Sequence, residues 1–340
     1  MSNKRLIWVD SLKGWLMLLV VMGHAIQYCM KDGECESNYW WNLIYSFHMP
    51  AFMALSGFVN YRPTTPPPRP YRTYLTLFVR RTRQLLVPFF LWSIIKWIVV
   101  GSLSLDKLIH ITFGSGGFFW FLWVLWVISI IFMSGNLLSK VLAVSEEIID
   151  GVISLTLVLV MVLGDIRILG FHYISYYFVF YTIGYYCNKY NRLLAAKKQW
   201  LLLLSGMVWF LMASFWNMHQ LPFFLKGVPY VPKTLLLYTY RFATAFIGIY
   251  ALIGVGRRFL NGMNSFNIQI AHLGKVSLGL YVTHLVLIIS LSGWLVASFP
   301  LCPLPILILL SFISACLMAI SIVELISCFN ITAKLLLGKV

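Results

Sequence analysis

The sequence predicts an all-α integral membrane protein of about ten transmembrane helices with both termini cytoplasmic. Three observations carry that expectation. Hydrophobic residues fill 60% of the 340 positions and charged residues only 11%, whereas an ordinary soluble domain is about one quarter charged. The apolar residues gather in runs near the ~20 residues needed to cross a ~30 Å hydrocarbon core. The basic residues are also partitioned. With the N-terminus inside, all but seven of the 26 Lys and Arg (Lys31, Lys96, Lys107, Arg167, Lys226, Lys233 and Arg241) fall on the inner side, as the positive-inside rule requires. The same rule accounts for the net charge of +16, so no nucleic acid partner is expected. The chain reads as one polytopic domain over 1–340, multi-pass in the cytoplasmic (inner) membrane, with membrane lipid around it and no room for a separate soluble domain. The first apolar run lacks a clear small-residue cleavage site, so it is not a secretory signal.

The first span, 12–30, is preceded by Asp10-Ser11-Leu12-Lys13-Gly14 and contains Gly23-His24. Lys13 and His24 are eleven residues apart, close to three helical turns, so they share a face at a separation of ~16 Å along the axis. Asp10 lies one turn before Lys13. An ionisable group in hydrocarbon costs several kcal/mol, on the order given by insertion scales, unless paired or hydrated. His24 is therefore either a functional group or a neutral histidine bonded to a neighbouring helix.

The second span, 39–60, follows a short acidic loop with Asp32, Glu34 and Glu36. A hairpin turning near residue 36 puts His24 and His48 at matched depth. Pro50 lacks a backbone N–H and predicts a kink beside His48, which suits a polar cavity or a histidine bonded to a freed carbonyl. The stretch Pro63–Pro70 is too proline-rich for a helix and reads as an extended inner linker.

Arg80, Arg81 and Arg83 lead into the third span, 84–100. Guanidinium groups bind phosphate through paired hydrogen bonds, so this cluster reads as an anion site, with charge that merely fixes topology as the alternative. Residues 101–116 read as an outer, half-buried segment. The remaining spans are 117–135, 148–164, 170–187, 200–216, 234–255, 276–296 and 304–328. Lys96 and Arg241 fall in the outer halves of the third and eighth spans. Glu324 is the only acid expected well inside a span, and it lies nearer the inner face. The two cations therefore either snorkel to the interface or line a cavity open to the outside. The outer loop 217–233, with Trp216, His219, Phe223, Phe224 and Tyr230 in or beside it, suits interfacial anchoring first and glycan stacking second. No Cys/His spacing reads as a metal site. Cys29 and Cys35 flank the first outer loop and read as free thiols before a disulfide. No inverted repeat of the transporter type is evident.

Further stretches join the opening one in order. They are Phe47-His48-Met49-Pro50-Ala51-Phe52 leading to Leu55-Ser56-Gly57-Phe58, Arg80-Arg81-Thr82-Arg83-Gln84-Leu85-Leu86-Val87-Pro88, Trp120-Phe121-Leu122-Trp123, and Ser277-Leu278-Gly279-Leu280-Tyr281 with His284. Together they resemble the membrane-bound acyltransferase-3 family, whose first helix carries an Arg/Lys-x10-His motif. The resemblance implies transfer of an acyl group, most often acetyl, to a hydroxyl of a cell-surface glycan or glycolipid precursor. The residues fit such chemistry. Acetyl-CoA (or another acyl-CoA) would serve as donor substrate, with no permanently bound cofactor and no metal. Lys13, Arg80, Arg81 and Arg83 would hold its phosphates, and ~16 Å is comparable with an extended pantetheine arm. His24 would act as general base, with His48 and Asp10 in support and Lys96, Arg241 and His284 as substrate contacts. The alternative is a proton-coupled transporter of an acidic solute using the same embedded groups. A non-enzymatic membrane scaffold is a third reading.

Overall fold

The structure, a computed structural model, describes residues 6–30, 34–61, 71–101, 104–112, 118–164, 166, 168–190, 199–229 and 231–339. Asp32, the linker Pro63–Pro70 and Tyr230 lie outside the described residues. Among the described residues the architecture is all-helical. In chain order the helices are α1 (Ile7–Cys29), α2 (Tyr39–Tyr45), α3 (His48–Asn60), α4 (Tyr71–Val99), α5 (Leu105–Thr112), α6 (Trp120–Leu142), α7 (Glu146–Leu163), α8 (Phe171–Tyr190), α9 (Gln199–Ser214), α10 (Lys233–Phe259), α11 (Ser265–Lys275), α12 (Ser277–Ser298), α13 (Leu304–Ser327) and α14 (Asn330–Leu336).

Six of them are long and apolar enough to cross a membrane: α1, α4 from Tyr74, α6, α10, α12 and α13. The other expected spans miss that standard for physical reasons. The second is broken into α2 and α3. The fifth, α7, begins with Glu146, Glu147 and Asp150, the sixth, α8, is rich in tyrosine, and the seventh, α9, has 16 residues. The apolar surface faces outward, as lipid requires: α13 exposes Leu309, Leu310, Ile313, Leu317 and Met318.

The break between α2 and α3 falls at Ser46–Phe47. Pro50 then occupies the first turn of α3, where an absent N–H costs no helical hydrogen bond. The expected kink is thus a full interruption just before His48. α4 starts at Tyr71 rather than at residue 84 because the basic stretch is itself helical. The 101–116 segment contains α5. The structure adds α11, which the sequence reading passed over as loop. Its buried stripe is Asn267, Ile270, Ala271 and Gly274, helical in period but too small and polar to register as an apolar run.

The helices form two compact units. The first holds α1, α2, α3 to Leu55, α9 to α12 and α13 to Ile320. Here α1 packs against α2, α10, α11 and α12, and α9 packs on α10 and α2. The second holds α3 from Ser56, α4 to α8, the end of α13, and α14. Here α4 packs against α5, α6 and α14, and α6 against α7. Trp92 donates from Nε1 to the Leu336 carbonyl at 2.8 Å, fixing α14 to α4.

The structure sharpens the expectations about the embedded charged groups. Glu324 lies within the long apolar α13 with its side chain exposed, and a second acid, Asp150 on α7, is 0% exposed. Tyr186 donates its hydroxyl to Asp150 Oδ2 at 2.6 Å, which is why a carboxyl is tolerated there. Lys96 neither snorkels nor stands without a partner. It is 3% exposed, with its ammonium 3.2 Å from the Trp97 ring centroid and 3.5 Å from that of Phe118, so aromatic faces replace the missing acid. Arg241 is half-buried between the Trp216 and Tyr238 rings and donates to the Met218 carbonyl at 3.4 Å. Cys29 and Cys35 are buried free thiols in different apolar clusters.

Candidate active site

The first unit brings three histidines together. His24 comes from α1, His48 from the first turn of α3 and His284 from α12. The rings of His24 and His284 lie with centroids 5.4 Å apart, and His48 is within electrostatic range of His24. Each ring has the same hydrogen-bond arrangement. His24 Nδ1 meets Gln27 Oε1 at 3.1 Å, His48 Nδ1 meets the Ile44 carbonyl at 2.7 Å, and His284 Nδ1 meets the Leu280 carbonyl at 2.8 Å. The backbone carbonyls of Ile44 and Leu280 only accept, so His48 and His284 carry a proton on Nδ1, and with the Gln27 amide oxygen turned to the ring His24 does the same, leaving the lone pair of each neutral ring on Nε2.

Accessibility then separates the three. His48 is 2% exposed and His284 is 0%, while His24 is half-buried. His284 Nε2 is buried and has no protein partner. One imidazole is thus reachable, held in its basic tautomer, with two sealed imidazoles beside it. That is an arrangement for removing a proton from a bound hydroxyl.

The comparison with known proteins bears on the whole chain. The family profile described as an acyltransferase domain matches residues 6–323. The chain belongs to the acyltransferase-3 family. Among curated relatives it is 29% identical to nodulation protein NolL of Sinorhizobium fredii over 183 residues, covering 48% of this chain and 46% of that protein. It is 28% identical to nodulation protein NolL of Mesorhizobium japonicum over 129 residues, covering 35% of this chain and 33% of that protein. The chain spans less than half the length of each of these relatives. No solved structure matches it.

The acyltransferase-3 landmarks now have structural addresses, and some serve packing. In Asp10-Ser11-Leu12-Lys13-Gly14, Ser11 Oγ donates to the Asn267 carbonyl at 3.3 Å. A Cβ on Gly14 would collide with the Ile270 carbonyl, and one on Gly274 with the Asp10 carbonyl. The two glycines let α1 and α11 touch backbone to backbone, so much of this stretch is a helix-packing signature. Asp10 is 5% exposed in that contact. Lys13 remains half-buried beside it. In Ser56-Gly57-Phe58 of the second unit, a Cβ on Gly57 would strike the Tyr181 carbonyl, and Asn188 Nδ2 donates to the Phe58 carbonyl at 2.7 Å. Both contacts dock α8 on α3.

The arginines divide. Arg81 turns into the second unit. Its guanidinium donates to Asn60 Oδ1 at 3.2 Å and to Gln84 Oε1 at 3.5 Å, and it sits beside the Tyr181 hydroxyl. Arg80 and Arg83 are exposed on other faces of α4. Lys13 belongs to the first unit and the three arginines to the second. Among the described residues no group of His, Cys, Asp and Glu is arranged to hold a metal.

Sequence reasoning missed Gln27 and Tyr45. Tyr45 donates its hydroxyl to Gln27 Oε1 at 3.5 Å, the oxygen that also accepts from His24. Gln27 lies one turn after His24, so the spacing carried the signal.

Proposed function

We propose that this chain is a membrane O-acyltransferase. It moves an acyl group, acetyl first, from acyl-CoA at the cytoplasmic face to a hydroxyl of a cell-surface glycan or glycolipid precursor. The reading rests on one observation, the half-buried His24 held as a neutral Nε2 base among sealed imidazoles, in a chain of the acyltransferase-3 family. The acceptor hydroxyl attacks the thioester carbonyl as His24 Nε2 takes its proton. The tetrahedral intermediate then breaks its C–S bond. The departing thiolate recovers the proton from the imidazolium, leaving an ester and free CoA. Arg81, with the exposed Arg80 and Arg83, supplies charge for the donor phosphates, and Lys13 is a separate cation on α1.

In this reading the chain is one polytopic domain of the inner membrane that crosses ten times with both ends cytoplasmic. The six long helices are joined by α2–α3, α7, α8 and α9. The deciding experiment gives purified protein labelled acetyl-CoA and a surface-glycan extract, and follows the acyl-ester product by mass spectrometry. Appearance of the ester supports the proposal. Solute uptake into sealed liposomes with no covalent product overturns it.

A further inference from the structure

We infer that Gln27 is a positioning residue for His24, locked in place by Tyr45 and by the glycine that precedes the histidine. The inference rests on His24 as base.

The geometry forms a short chain of contacts. Tyr45 stacks on Trp41 with ring centroids 3.8 Å apart and 19° between planes, which fixes the phenol. A Cβ on Gly23 would lie 2.9 Å from the Tyr45 ring, so only glycine at this position lets the ring come so close to α1. The phenol hydroxyl donates to Gln27 Oε1, and a carbonyl oxygen with two lone pairs has room for a second donor, His24 Nδ1–H. Holding Oε1 towards both donors sets the orientation of the amide. The oriented amide in turn keeps the proton on Nδ1 and the lone pair on Nε2.

The chemical choice of an amide matters. A carboxylate in this place would stabilise the imidazolium and raise the pH at which His24 becomes a base. A neutral acceptor fixes the tautomer while leaving the ring free to take a proton only when a hydroxyl supplies one. Gly23-His24 thus acquires a reading as a pair: the glycine admits the tyrosine that aligns the glutamine that aligns the base. The titratable groups that the structure places beside His24 are Tyr28 on its own helix, Tyr45 and His48 on α2 and α3, and His284 on α12.

The test uses the purified full chain with acetyl-CoA and acceptor. Gln27→Leu removes the acceptor atom and is expected to lower kcat on the order of 10²-fold with KM for acetyl-CoA unchanged. Gln27→Glu keeps size and acceptor but adds charge. It is expected to move the ascending limb of rate against pH upward by about 1–3 units, a change that a purely structural role would not produce. Tyr45→Phe keeps the stacked ring and loses only the hydroxyl, so it is expected to show a smaller kcat loss of the same kind. If Gln27→Leu fails to fold, the pH profile of Gln27→Glu decides. A Gln27→Glu profile that superimposes on the wild type, or a folded Gln27→Leu with wild-type kcat, overturns the inference. His24→Ala separates the levels. Full transfer by His24→Ala defeats the proposed function, whereas loss in His24→Ala with wild-type behaviour of both Gln27 variants defeats this inference alone.

Discussion

His24 and His284 face one another at 5.4 Å between ring centroids, and of the two only His24 is partly exposed. His284 is sealed, with Nδ1 tied to its own helix and Nε2 without a protein partner. His24 is half-buried, with Nδ1 tied to a side chain. In the proposed mechanism the more accessible ring is the base and the closed one its neighbour.

His24→Ala is expected to fold, bind acyl-CoA and lose transfer by ~10²–10⁴-fold, the usual worth of a positioned base. Gln at this position does not rescue, because an amide takes no proton at neutral pH. The ascending limb of the pH–rate profile disappears with the imidazole. Stopped-time product assays on purified variants check all three.

His284→Phe keeps the ring volume and removes both nitrogens. The expected result is a smaller kcat loss than for His24→Ala, with unchanged KM for the donor. Steady-state kinetics decide it, since a loss as large as that of His24→Ala would move the base to His284.

Arg81→Ala is expected to raise KM for acyl-CoA by the equivalent of about 1.5–3 kcal/mol, the worth of a hydrogen bond to a charged group. Lysine restores part of it, lacking the planar fork that also holds Asn60. Arg83→Ala, on an exposed face, gives a smaller effect that fades as salt rises. Donor titrations at two ionic strengths would show otherwise if all the arginines act alike.

Gly14→Val and Gly274→Val each push a side chain into a facing carbonyl. Overpacking of this kind costs about 1–3 kcal/mol, so both variants are expected to melt at lower temperature in detergent than the wild type. Ser11→Ala removes one hydrogen bond and is expected to cost about 1 kcal/mol. Unchanged melting of Gly274→Val would mean that α11 does not sit on α1.

The orientation is checked by single cysteines. Phe223→Cys, 70% exposed in its loop, is expected to react with an impermeant thiol reagent applied to intact cells. Met263→Cys, 77% exposed before α11, is expected to react only after lysis. The reverse pattern inverts the donor side.

Much of this was readable from residue spacing. Hydrophobic runs located the long helices because lipid allows few alternatives, and matched distances from the first hairpin turn paired His24 with His48. What escaped depended on contacts between distant segments. α11 is held by small residues whose value appears only when Asp10 and Gly14 are opposite them. Lys96 looked unpaired because an aromatic face does not register as a counter-ion in a charge count. Asp150 was overlooked because it lies near the start of its helix, and only the fold reveals Tyr186 reaching over it. Nothing in sequence brings α12 to the side of α1, so the nearness of His284 to His24 appears only in the fold.

The bond from Ser11 to Asn267 joins residues 256 positions apart. At about 5–20 residues per second of synthesis, α1 waits on the order of 10–50 s in the membrane before α11 exists to cover it. Throughout that interval its Asp10–Gly14 turn is bare and its histidine faces no α12. An interrupted chain would expose a poorly covered, ionisable helix to the membrane's proteases and could not assemble the base. The contact between α1 and α11 therefore ties an early-made helix to one made much later.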